Sequence, residues 1–124
     1  MKMVLSVGLL TLATVLSLPA QGAPGDDLAA HLDRVCPAAP APVADTSLAG
    51  QGKAVDAYAA GVAAYQECLY TELRSRRAGL TQSEQAVIAG RLSRSTYDLS
   101  AARQRYAGAV RAARAEMQVA ERSN

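Results

Sequence analysis

Leu48, Val55, Tyr58, Val62, Tyr65 and Leu69 are separated by steps of seven, three, four, three and four. On an α-helix this spacing returns every side chain to one narrow stripe, the a/d seam of a coiled coil. A strand, with its period of two, would scatter the same residues over both faces. Gln51 and Glu72 interrupt the register, and Leu73 beside Glu72 prolongs the apolar face. The pattern predicts a helix from Leu48 to Arg77, roughly 45 Å long at about 1.5 Å per residue.

A seam needs something to pack against. The chain has neither Trp nor Phe, so its core must come from Leu, Val, Ala and Tyr. Such residues make thin helix–helix contacts. Tyr58 and Tyr65 are expected to lay their rings on a partner helix and send their hydroxyls to the rim. Ligand stacking is the alternative role for them. A second seam follows: Ile88, Leu92, Ser95, Leu99, Ala102, Tyr106, Ala109 and Ala113 alternate in steps of four and three. It predicts a helix from Gln82 to Glu121. Arg74, Arg76 and Arg77 suit the negative end of the first helix dipole. Gly79 is expected to take the left-handed conformation that closes many helices. Thr81 and Glu84 form a capping box for the next helix. So short a link makes the two helices antiparallel neighbours. The second should outrun the first by about ten residues, and its end, around Arg111 to Glu121, needs cover for Val110, Met117 and Val119.

Upstream, Leu28, Leu32 and Val35 fall at i, i+4 and i+7 and predict a short helix, with Asp26 or Asp27 as its N-cap. Pro37 ends it. The Leu28/Leu32/Val35 stripe is expected to cover part of that far end. Pro37, Pro40 and Pro42 then fix an extended arm. A proline-rich ligand for a partner domain is the functional alternative. The expected fold is all-α: an antiparallel, coiled-coil-like two-helix hairpin over residues 48–124. A short helix and proline-rich arm, residues 21–47, are tied to it.

The chain opens as an export signal. Lys2 precedes an apolar run from Met3 to Leu16, followed by Pro19 and the small residues Ala20, Gly22 and Ala23. Cleavage is expected after Ala20, with Gly22 possible and Ala23 the latest candidate, since Pro24 just after Ala23 hinders a cut there. The run is shorter than the about 20 apolar residues of a spanning helix, so no stable membrane span is expected after cleavage. The protein is expected to be periplasmic or secreted. Loss of Lys2 lowers the formal net charge from +2 to +1. That is no footprint for nucleic acid, which requires a strongly basic domain.

Cys36 and Cys68 are the only cysteines. An even count in an oxidising compartment implies a disulfide. It would pin the end of the short helix and the arm to the first long helix, which gives a thin-cored protein a needed tie. A redox pair and an intermolecular bridge are the rival readings, but a redox pair favours a Cys-x-x-Cys spacing that is absent. Catalysis is poorly served. His31 is the only histidine and reads as a helix-surface residue without recognisable metal-ligand spacing. No serine sits in a nucleophile elbow, no glycine-rich phosphate loop occurs, and no cofactor is expected. Glu72–Arg76 and Arg94–Asp98 read as solvated i, i+4 pairs.

The stretch "CPAAPAPVADTSLAGQGKAVDAYAAGVAAYQECL" resembles a pattern in small exported proteobacterial proteins of unknown function. The matching positions are Cys36, Pro37, Pro40, Pro42, Val55, Tyr58, Tyr65, Cys68 and Leu69. The Pro-Asp-Gly link of that pattern is missing. The resemblance implies export and a helical hairpin, with no known activity. "GLTQSEQAV" is similar to the Leu-Thr-x-x-Gln motif of periplasmic helical chaperones of the Spy/CpxP type, with Gln85 one place late. The expected function is non-enzymatic: an envelope protein that binds another envelope protein or itself. A chaperone of the Spy/CpxP type is the alternative.

Overall fold

The computed structural model describes residues 24–43 and 47–124, with side chains from Asp27 onward. The export signal and its cleavage positions lie outside the described residues. Three helices follow in order: α1 (Pro24–Val35), α2 (Leu48–Arg76) and α3 (Gln82–Ser123). No strand occurs among the described residues. α2 and α3 pack as a hairpin, and α1 lies mainly along α3. Cys36 and Cys68 are joined by a disulfide, with their Cα atoms 5.7 Å apart.

Local chemistry explains most of the boundaries. Ser47 caps α2, its hydroxyl accepting from the Gly50 amide at 3.0 Å. Thr81 and Glu84 make the reciprocal capping box of α3. The Glu84 amide donates to Thr81 Oγ1 at 3.1 Å, and the Thr81 amide donates to Glu84 Oε1 at 3.2 Å. α1 begins at Pro24, whose fixed φ suits the first position of a helix. Asp26 and Asp27 therefore lie inside the helix, and neither is its N-cap. Gly79 also departs from expectation. No glycine among the described residues has positive φ. The right-handed path continues through Arg77, and the Gly79 amide closes a tight turn on the Arg76 carbonyl at 2.9 Å. Orphan carbonyls at a helix end can be met this way, by i→i+3 bonds, without a left-handed residue.

The core sits at the turn end of the hairpin. Leu28, Leu32 and Cys36 of the α1 segment meet Tyr65, Leu69 and Ile88, with Leu73, Leu80, Val87 and Leu92 packed round them. Two expectations are corrected here. Val35 is 43% exposed, and Cys36 takes the third place of the α1 stripe. Nor does α1 reach the far end of α3. Cys36 must meet Cys68, which stands eight residues before the last residue of α2. That places α1 beside the turn, and every residue from Arg114 to Asn124 is exposed.

The helices are unequal, as their seams imply. α2 has 29 residues and α3 has 42, so α3 is longer by about 20 Å at ~1.5 Å per residue.

Candidate functional site

Of the predicted seam, Val62, Tyr65, Leu69 and Ile88 are buried, while Val55, Tyr58, Leu92, Leu99 and Tyr106 are half-buried. Leu48, at the open end, is exposed. Ser95 and Ala102 are buried within the α3 seam. The Ser95 hydroxyl is no orphan: it donates to the Leu92 carbonyl at 2.8 Å and accepts from Gln66 Nε2 at 2.9 Å. Gln66 also donates to Thr96 Oγ1 at 3.0 Å, which makes it a polar rung between α2 and α3. Small residues set the spacing at two points. A Cβ on Gly52 would lie 2.8 Å from the Tyr106 hydroxyl, and one on Gly61 would lie 3.0 Å from the Ala39 side chain. The proline arm thus rests on α2 at Gly61.

Two polar clasps hold α1, and the sequence shows neither plainly. In the first, Arg91 Nη1 donates to Asp33 Oδ1 at 2.7 Å and Nη2 to the Ala29 carbonyl at 3.2 Å. Burial works against the Arg91 charge, but hydrogen bonding with Asp33 and Tyr65 outweighs it and raises the pKa. One guanidinium of α3 therefore holds α1 at two points. In the second, His31 Nε2 and Arg76 Nε both lie 3.1 Å from Glu72 Oε2. His31 and Glu72 are half-buried, so His31 is not a free surface histidine and Glu72–Arg76 is not simply solvated. Arg94–Asp98 forms as expected, at 3.1 Å and more exposed.

The Glu72 carboxyl illustrates the balance. Burial pushes its pKa up, while hydrogen bonds and positive charge from Arg76 and His31 pull it down, and the net shift is downward. A carboxyl depressed in the folded state contributes stability above its unfolded pKa and loses it as pH falls through the folded value. Thermal melts from about pH 5 down to about pH 3 cross that region for a carboxylate. The wild type should lose more melting temperature over this interval than Glu72→Gln. Parallel curves would mean that the clasp adds nothing.

The clefts are small or open. One of about 140 Å³ lies under the arm, lined by Ala39, Tyr58, Tyr65, Arg91 and Arg94. Drug-sized ligands need about 300 Å³ or more, which is more than this cleft offers beside Tyr58 and Tyr65. A groove of about 440 Å³ between α2 and α3 is lined by Gln66, Thr96, Leu99 and Arg103 and contains no arm residue. No group of three or more metal-ligating side chains occurs among the described residues. No helix among them is long and apolar enough to cross a membrane.

The remaining surface feature is the far end of α3. Val110 and Ala113 are half-buried, whereas Met117 and Ala120 further along the helix are exposed. Met117 is 61% exposed.

Comparison of the chain with family models, curated proteins and solved structures finds no match.

Proposed function

We propose that this chain is an exported, non-enzymatic envelope protein that works by contact, a locked helical hairpin presenting one free helix end to a partner. The observation that carries the reading is a contrast within α3. Its first part is fastened to α1 and α2 by a disulfide-tied core and two polar clasps. Its last eleven residues, Arg114 to Asn124, are exposed, with an apolar line running along them. A rigid body holding out an uncovered amphipathic helix is a common basis for helix-mediated recognition.

Two further points support export. The Cys36–Cys68 bridge suits an oxidising compartment. The Lys2, apolar-run and small-residue order suits a cleaved signal, and the likeness to exported proteobacterial helical proteins agrees with it.

The test is fractionation of the native host with thiols trapped at lysis. The expected product lies in the envelope or medium, begins between Gln21 and Pro24, and has no free thiol. Cytosolic protein that retains Met1 and two free thiols would refute the proposal. An aggregation assay addresses the chaperone alternative: substoichiometric protection of a denatured client would favour it over a dedicated contact protein.

A further inference from the structure

We infer that the cleft between the proline arm and the open half of the hairpin binds a small aliphatic carboxylate, its head on Arg105 and its tail against the arm. The site goes beyond the contact-protein reading and does not depend on it.

The arm rests on α2 through Ala39, beside Gly61. Further along it leaves a cleft of about 350 Å³. Pro42 and Val43 line the cleft from the arm, Ala54 and Val55 from α2, and Ala102 from α3. Apolar groups from three elements thus bound one space without filling it, whereas close-packed interiors leave few such gaps. Val43 is 80% exposed, so a large apolar side chain stands at this cleft without cover. The volume lies within the range of ligand pockets, about 300–1,000 Å³. A second hollow of about 170 Å³ shares Pro42, Val43 and Ala54 and reaches Tyr58 and Gly61. It lengthens the apolar surface along which a tail can lie.

Charge selects the head. Arg105 is the only charged residue lining the cleft. Arg74, Arg76, Arg91 and Arg94 each pair with a carboxylate. Arg105 is exposed and forms no ion pair among the described residues. Its neighbours three and four places away on α3 are Ala101, Ala102, Gly108 and Ala109, none of which can neutralise it. One guanidinium matches one planar carboxylate, through two parallel N–H···O bonds. Gln51 and Tyr106 line the same cleft and add an amide and a hydroxyl. A mostly apolar cleft with a few polar groups is the usual form of a small-molecule site. Because Arg105 is exposed, solvent screens the charge contact, and the ligand binds weakly and exchanges readily.

Octanoate is the probe, kept below the concentration at which it self-associates. It is titrated into the isotope-labelled chain as processed by its host, disulfide intact, and followed by heteronuclear NMR. Saturable shifts are expected at Val43, Ala54, Ala102 and Tyr106. Octanol, which has the tail without the charge, should bind about tenfold more weakly, the size of one hydrogen bond to a charged group. Acetate, which has the charge without the tail, should not saturate over the same range. Arg105→Gln should weaken octanoate by about tenfold as well, leave octanol unchanged, and melt with the wild type because the position is exposed. Arg103→Gln is the control. Arg103 is equally exposed but lines the groove that contains no arm residue, and its loss should leave octanoate binding intact. Octanoate that binds no tighter than octanol would overturn the inference. So would equal losses from the two arginine variants, shifts confined to Arg114 and beyond, or the absence of any saturable shift. Each of these outcomes leaves the contact-protein reading standing.

Discussion

Tyr65→Ala should melt far below the wild type, whereas Glu67→Ala should melt beside it. Tyr65 stands where all three helices meet. Its ring is buried in the cluster of Leu28, Leu32, Cys36, Leu69 and Ile88, and it lines one cleft with Arg91. Truncation removes the largest side chain of a thin core. Large aromatic-to-alanine changes in cores cost about 3–5 kcal/mol, and the low end fits a cluster this small. A loss of about 3 kcal/mol corresponds to a fall of roughly 12–20 °C in a domain of this size. Tyr65→Phe is the control: it keeps the ring and should lose no more than about 1 kcal/mol, the size of one hydrogen bond. Glu67 is 71% exposed and pairs only with an exposed Arg74. Its removal should stay within about 0.5 kcal/mol. Equal melting temperatures for Tyr65→Ala and Glu67→Ala would remove the seam as the reason for the paired tyrosines.

Loss of the disulfide is the second large effect. Cys36 and Cys68 are 32 residues apart, and the chain-entropy model assigns a loop of that length about 3–4 kcal/mol. Replacing both cysteines with serine should lower the melting temperature by an amount similar to Tyr65→Ala. Cys36 is also a buried core residue, so the double serine variant combines the lost tie with a polar group in the core. Reduction of the wild type isolates the tie. It should destabilise α1 and the arm more than the hairpin, because the α2–α3 seam has its own capping box, polar rung and apolar contacts. Reduced and oxidised chains with the same melting temperature would contradict this assignment.

Regular, local signals are legible in the sequence. Heptad steps place α2 and α3, and the Thr81/Glu84 pair marks the start of α3 because both partners lie within one turn. An even cysteine count in a chain whose start reads as an export signal points to the bridge. Contacts between distant residues are hidden. Asp33–Arg91 spans 58 positions and His31–Glu72 spans 41, and neither has a local pattern. Arg91 lies three residues after Ile88, on the flank of the seam, which is the one hint that it faces another element. The position of α1 misleads because the apolar demand at the far end of α3 competes with a covalent constraint, and the constraint wins. Cys68 near the end of α2 requires α1 to lie at the turn. Gly79 misleads for a similar reason: glycine permits a left-handed cap but does not require one, and a right-handed turn satisfies the same carbonyl.

One end of the hairpin is fastened by a disulfide-tied core, and the residues from Arg114 to Asn124 are exposed. Amide hydrogen exchange on the oxidised, monomeric chain tests it residue by residue, before and after reduction. Slow exchange is expected from Val62 to Leu69 and from Ile88 to Ser95, and early exchange from Arg114 to Ser123. Reduction should strip protection from α1 while leaving the α2–α3 core slow. Uniform protection along α3, or a hairpin that loses protection together with α1 on reduction, would contradict it.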